Sequence, residues 1–166
     1  TLMKFVKGPD FPTGGIVEGI DGIKEAYKTG RGRIIVKSRY TVEEVKGVSQ
    51  IVITEIPFEV NKALMVKKID DIRIDKKIEG IAEVRDESAA DVRVVIELKK
   101  NANVDLIINY LLKNTDMQIS YNFNVVSIVN RRPKLLGLKE ALDAFIAHQK
   151  EVVRRRTEFD LAHAKA

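Results

Sequence analysis

The chain has 166 residues, with 29 Lys and Arg against 24 Asp and Glu for a net charge of +5, a length that supports one good core or one core with an appendage. It contains no cysteine, which excludes thiol nucleophiles, Cys-type zinc centres and disulfides, and no apolar run approaches the ~20 residues of a membrane-spanning helix. The modest basic excess permits a polyanionic partner, but it marks a binding face only where the cations gather on one side.

The sequence opens mid-pattern at Thr1-Leu2-Met3-Lys4-Phe5, without a signal-peptide pattern, and stops at Ala164-Lys165-Ala166 with no Gly, Asn or Pro to end a helix. Both ends are expected to be cuts in a longer protein. Residues 8–15, Gly-Pro-Asp-Phe-Pro-Thr-Gly-Gly, pack two prolines and three glycines into eight positions, the signature of a rigid turn. A short helix follows, with Asp21 as N-cap, Ile23, Ala26 and Tyr27 on one face, and Gly30 as stop. Gly30 and Gly32 then release the chain into a strand over 33–40. There Ile34, Val36 and Tyr40 alternate with Arg33, Lys37 and Arg39, giving a core face and a basic face.

A turn at Lys46-Gly47 leads to a strand over 50–56, closed by Pro57. Residues 61–77 read as a helix with Leu64, Val66, Ile69 and Ile72 apolar. Strands are predicted over 78–84 and 92–98, joined by the charged turn Arg85-Asp86-Glu87-Ser88. A helix over 104–112 and a strand over 117–123 come next, the latter with Met117, Ile119, Tyr121 and Phe123 on one face. From 135 to 166 only Gly137 interrupts a helical pattern, which predicts a long helix packed at its start and continuing as half of a coiled coil. The expected class is α+β: an antiparallel or mixed sheet with packed helices over 1–135, then the long helix over 136–166.

Catalytic constellations are thin. His148 and His163 both fall in the terminal helix, and no nucleophile elbow or Ser-His-Asp set can be assembled. Asp70, Asp71, Asp75, Asp86 and Glu87 lack calcium-loop spacing and read as a solvated helix face and a turn. The glycine-rich segments match neither phosphate-loop nor dinucleotide patterns. Tyr121 and Phe123 could stack on bases, but their register with Met117 and Ile119 makes them a core row. What remains is basic: Lys28, Arg31, Arg33, Lys37 and Arg39, then Arg131 and Arg132 in a turn, then Arg154, Arg155 and Arg156 on the terminal helix. On spacing alone the solvated face of an antiparallel sheet accounts for the first group. Any DNA binding by this set would be to the backbone, without a sequence code.

Several longer motifs are similar to the A subunit of bacterial type IIA DNA topoisomerases. They are the turn at 8–15, Ala-Tyr-Lys-Thr-Gly-Arg-Gly at 26–32, Ile-Thr-Glu-Ile-Pro-Phe-Glu-Val-Asn-Lys at 53–62 and Gly-Ile-Ala-Glu-Val-Arg-Asp-Glu-Ser at 80–88. Gln-Ile-Ser-Tyr-Asn-Phe-Asn at 118–124 and the run from His148 to Leu161 continue the match in order. Tyr121-Asn122-Phe123-Asn124 and Phe159-Asp160-Leu161 resemble the topoisomerase IV branch more than the gyrase branch. The stretch Ala89-Ala90-Asp91-Val92 departs from the family by lacking its glycine.

The resemblance implies a tower domain over 1–135 and the start of a coiled-coil arm over 136–166, with the winged-helix domain and its nucleophilic tyrosine upstream. It implies no catalytic and no metal-binding residue in this stretch. The parent would be an ATP-dependent isomerase that breaks, passes and rejoins double-stranded DNA in the bacterial cytoplasm, serving chromosome segregation. Its A subunits would form a homodimer, and Mg²⁺ and ATP would be held by the partner B subunit, which carries the ATPase and TOPRIM parts. The tower's implied role is to support DNA flanking the gate segment through backbone contacts at Lys28, Arg31, Arg33, Lys37, Arg39, Arg131, Arg132, Arg154 and Arg155. The alternative is a structural spacer between winged-helix platform and coiled-coil gate that touches no DNA.

Overall fold

A computed structural model describes residues 2–165. After a 3-10 turn at Leu2–Lys4 the chain forms β1 (Ile16–Glu18), α1 (Ile20–Thr29), β2 (Arg31–Lys37), β3 (Arg39–Val45), β4 (Val48–Glu55) and α2 (Lys62–Ile74). It continues through β5 (Ile81–Asp86), β6 (Val94–Leu98), α3 (Val104–Asn114), β7 (Gln118–Asn124), β8 (Val126–Val129), β9 (Arg132–Leu135) and α4 (Leu138–Lys165). The α+β class stands. Two compact units divide the chain: one holds residues 2–7, 19–34 and 122–165, the other residues 8–18 and 35–121. No helix among the described residues is long and apolar enough to cross a membrane.

The larger unit is built on a four-stranded antiparallel sheet in the order β3-β4-β6-β5. Its two central strands are nearly continuous apolar runs because both of their faces are covered. Ile51, Ile53, Val94 and Ile96 turn to α2 and α3, whereas Val52 and Val95, opposite each other in register, are buried on the reverse face. Met65 and Ile69 of α2, Ile107 and Leu111 of α3, and Met117 complete the core, all fully buried. Each such side chain contributes about 1.5–3 kcal/mol of hydrophobic stabilisation. Both helices start at an asparagine cap: Asn61 accepts the Leu64 N–H and Asn103 the Leu106 N–H, each at 3.1 Å.

Ion pairs tie the loops of this unit to its sheet. Lys62, in the first turn of α2, reaches Asp86 at the end of β5 at 2.8 Å. Asp86 also accepts the Ser88 N–H at 3.0 Å, and these two contacts lower its pKa from the ordinary 3.8 to about 2, the Lys62 bond being the larger cause. The β5–β6 hairpin, with its departure at 89–92, is closed by the Glu87 N–H donating to the Arg93 carbonyl at 2.8 Å. Arg85 on β5 binds Glu83, Glu87 and Glu97 together.

The expected strand over 33–40 is two strands. Ser38 breaks it, donating its N–H to the Met117 carbonyl at 2.7 Å. β2 then pairs with β1, and β3 pairs with β4 in another sheet. Apolar–basic alternation persists on both sides of Ser38, so a period of two cannot show the chain changing partners. Lys46 and Gly47, with φ of 53° and 78°, make the two-residue left-handed turn that a tight hairpin requires, with Val45 opposite Val48.

In the smaller unit, α1 is not capped by Asp21. Gly19, at φ 101°, precedes it without a side-chain cap, and Asp21 instead pairs with Lys24 at 3.2 Å within the first turn. Gly30 ends the helix as expected, left-handed at φ 81° and bonded to the Ala26 carbonyl at 2.8 Å. Gly32 has a second task. A Cβ there would meet the Gly22 carbonyl oxygen and stand 2.8 Å from both Ala26 Cβ and Ala26 N, and a Cβ on Gly22 would meet the Arg33 carbonyl. The backbones of α1 and β2 therefore lie directly on each other, with Ile23, Ala26 and Ile34 buried around them. The β8–β9 hairpin, read from sequence as a basic turn leading into a helix from 135, turns on Asn130 and Arg131 at φ 51° and 63°. Its Val126 and Ile128 are 55% and 79% exposed, so the ribbon stands largely in water. The terminal helix consequently starts at Leu138.

Replacing Gly32 by Ala is expected to cost roughly 1–3 kcal/mol, since the added carbon presses on backbone and not on a flexible side chain. Urea unfolding of G32A against the parent sequence checks this, and an unchanged midpoint would contradict the close approach. Asp86, its pKa depressed in the folded state, contributes stability that is complete above the ordinary 3.8 and is lost as pH falls toward about 2. Acid unfolding of D86N should therefore show a shallower loss over that window, and NMR titration of the Asp86 carboxyl should find its midpoint below the ordinary value.

Candidate nucleic-acid interface

The smaller unit carries five of the expected contacts on a tightly bonded frame. The Thr29 hydroxyl accepts the Arg31 N–H at 3.1 Å and stands 2.9 Å from the Arg31 carbonyl, which holds Thr-Gly-Arg in one shape at the junction of α1 and β2. Lys28 and Arg31 lie on either side of this turn, both exposed and, among the described residues, without an acidic partner. Arg33 follows two residues on, exposed, while Ile34 is buried. The base of the β8–β9 hairpin is bonded to the same turn. Val125 donates to the Gly30 carbonyl at 2.9 Å, and Leu136 donates to the Val125 carbonyl at 3.0 Å. Arg132 is three residues out from Leu135, so it stands ~10 Å along the ribbon from its base, and Arg131 is at the tip. Both are exposed, and among the described residues neither has an acid partner.

Lys37 and Arg39 belong to the larger unit, and their charges are engaged. Lys37 pairs with Glu18 across the β1–β2 ladder at 2.8 Å. Arg39, on β3 and thus not on the strand of the other cations, pairs with Glu55 at 3.0 Å. Glu55 also accepts the Gly15 N–H at 2.6 Å, and this bond, followed by Arg39, lowers the Glu55 pKa. Arg39 is thereby part of the clamp that holds the Gly14-Gly15 corner. The same turn is gripped at Phe11, whose ring meets Tyr121 edge-on at 5.2 Å and lies 5.7 Å from Phe58. Tyr121 is a packing residue, as its register predicts, and not a platform for bases.

On α4 the arginine triplet is met by the helix's own acids. Glu151 takes Arg154 at 2.7 Å and Arg155 at 2.6 Å, and their hydrogen bonds, Arg154 first, lower its pKa. Arg156 lies 3.9 Å from Asp160. Exposed pairs one turn apart on a helix of this kind leave little surplus charge. His163 stacks on Phe159 with ring centres 4.3 Å apart. Burial raises the pKa of Tyr27, and Tyr40 and Tyr110 pack against the core. Sequence reasoning passed over Lys76, Lys99 and Lys100, exposed cations of the larger unit without acid partners among the described residues. The doublets Lys76-Lys77 and Lys99-Lys100, each beside a turn, were the signal that could have found them.

Comparison with known proteins places the sequence in a family. The sequence model of the family that comprises the DNA gyrase and topoisomerase IV A subunits matches residues 1–166. The A subunit of DNA topoisomerase 4 from Bacillus subtilis is 60% identical over 166 residues, covering 99% of this chain and 21% of the relative. Proteins of the same name from Staphylococcus epidermidis and Streptococcus pneumoniae are 57% and 55% identical, covering 99% of this chain and 21% and 20% of their own lengths. The chain thus spans about a fifth of the curated relatives it matches. A match over the whole length, at such identities, means that this chain belongs to the family of DNA gyrase and topoisomerase IV A subunits.

Proposed function

We propose that this chain is the tower region of a topoisomerase IV-type A subunit, and that it supports duplex DNA beside the cleaved segment while the parent enzyme breaks, passes and rejoins double strands. The observation that carries the reading is the cation frame of the smaller unit: Lys28, Arg31, Arg131 and Arg132 are exposed and without acid partners among the described residues. Bending 20–30 bp of DNA costs of order 1–6 kcal/mol, and backbone contacts outboard of the bend offset it. Such contacts need fixed positions more than they need chemistry, and the bonded turn at Thr29–Arg31 supplies them. On this reading A subunits pair with each other and with a B subunit in the bacterial cytoplasm. On the same reading, Mg²⁺ and ATP are held by the B subunit.

One observation favours the spacer alternative, namely that Lys37 and Arg39 are neutralised by Glu18 and Glu55. The two readings separate in the full-length enzyme. Changing Lys28, Arg31, Arg131 and Arg132 together to Gln leaves the core untouched, and surface changes of this kind usually stay within about ±0.5 kcal/mol each. For a long gate duplex the slope of log K against log salt should become shallower by about 0.9 for every phosphate no longer neutralised. Duplexes too short to reach the tower should be unaffected. An unchanged slope on the long duplex makes the region a spacer. The isolated stretch, mixed with B subunit, Mg²⁺, ATP and supercoiled plasmid, should neither relax nor cleave it. A covalent DNA adduct at Tyr27, Tyr40, Tyr110 or Tyr121 would overturn the assignment.

A further inference from the structure

The lysines that fall outside the basic set converge in the larger unit. The turn after α2 and the turn before α3 face each other across an open cleft of about 870 Å³, lined by Lys76, Lys99 and Lys100. Two further charged groups on its wall bear on the balance. Arg73 is tied to Asp70 at 2.7 Å, and Glu79 is the carboxylate present. Three unmatched ammonium groups against one carboxylate leave a local surplus of positive charge. Lys77, beside them, is engaged by Asp75 at 3.0 Å.

The turns that carry these lysines are fixed. The Lys99 N–H donates to the Gly80 carbonyl at 2.7 Å, which joins one turn to the other. The Ala102 N–H donates to the Lys99 carbonyl at 3.1 Å, closing a tight turn in which Asn101 is left-handed at φ 63°. Gly80 has φ 107°, and a Cβ on it would stand 2.9 Å from Ile107 and 3.0 Å from Ala102, so the two turns are seated on the core. The lysine backbones are therefore pre-organised, and binding an anion here orders only their side chains. The start of α3 at Asn103 and Leu106 forms part of the wall and adds the positive end of a helix dipole. An enclosed apolar pocket suits a small organic ligand, whereas an open cleft with spaced ammonium groups suits a chain of phosphates.

The geometry points to this cleft as a second phosphodiester-binding surface, with Lys76, Lys99 and Lys100 holding the backbone of duplex nucleic acid. It rests on the reading that DNA is the partner, and it adds a contact on the larger unit that is separate from the cation frame of the smaller one. The contact is to the backbone, because the lysines meet phosphates as point charges without a sequence code.

The test uses a long duplex and the full-length enzyme, in which the A subunit is paired with its B subunit. K76Q/K99Q/K100Q should reduce the salt slope of binding by about 0.9 for each phosphate released, so about 2.7 for three, and should lose affinity equally for unrelated sequences. Lys→Arg at the same three positions should restore the slope, which a merely misfolded turn would not allow. An R31Q/R131Q/R132Q variant run in parallel separates the outcomes. If that variant shifts the slope and the lysine variant does not, DNA support stands and the cleft proposal falls. If only the lysine variant shifts it, the cleft is the contact. A third arm titrates inorganic phosphate alone and follows the amide signals of residues 99–103. Saturation by free phosphate with no slope change in the lysine variant would make the cleft a simple anion site and overturn the proposal.

Discussion

Gly22 and Gly32 let the backbone of α1 rest on the backbone of β2 with nothing between them, and the smaller unit is organised around that contact. Any side chain at either position would push helix and strand apart, exposing Ile23, Ala26 and Ile34, which together make its buried centre. The same contact fixes the direction of the cations. Arg31 and Arg33 flank Gly32, so the glycine that admits the helix on one side of the strand leaves its two neighbours facing water on the other. Sequence motif and charged surface are thus two results of one steric demand.

Charge in this chain does two jobs, and the structure separates them. Glu55, Asp86, Arg85 and Lys62 fasten loops to sheets, and the lowered pKa values of Glu55 and Asp86 record how firmly. Arg39 belongs to this architectural group. Arg154 and Arg155 are matched within their own helix. Among the cations without an acid partner, several sit on tight turns: Lys28 and Arg31 around Gly30, Arg131 in a left-handed hairpin corner with Arg132 beside it, and Lys76 and Lys99-Lys100 on the turns that line the cleft of the larger unit. A short, bonded turn has little backbone entropy left to lose when an anion arrives, so positions of this kind bind more readily than a flexible arm of equal charge.

Much of this was legible in the sequence, for physical reasons. Gly30 after an apolar run and the alternation of Met117 to Phe123 are local signals, and local geometry obeyed them; the caps at Asn61 and Asn103 are local too, but they emerged only from the structure. The pairing of strands is not local. Nothing in residues 33–40 distinguishes one strand from two, because Ser38 changes sheet without disturbing the alternation around it. The β8–β9 ribbon escaped notice although Val125-Val126-Ser127-Ile128-Val129 is a β-branched run bounded by Asn130; with Val126 and Ile128 exposed, the run lacks the alternation of apolar and polar residues that marks a half-buried strand. The candidate site was legible as a set of basic residues but not as a set of free ones, since the partners of Lys37 and Arg39 lie 19 and 16 positions away in sequence. The departure at 89–92 proved harmless to the hairpin, whose closing bonds come from Glu87 and Ser88.

The start of α4 has a mechanical consequence. Gly137 is buried so closely against the end of α1 that a Cβ would stand 2.6 Å from the Lys28 carbonyl oxygen and 2.7 Å from that of Tyr27. The long helix therefore begins at a backbone-to-backbone seat with almost no play, and its 28 residues extend ~42 Å from there. Over that length a rotation of about 10° at the seat would sweep the far end through about 7 Å. Strain applied near Phe159 would arrive, multiplied in force and reduced in travel, at the turn that carries Lys28 and Arg31. The helix is a lever, and its fulcrum is the seat of Gly137 on the end of α1.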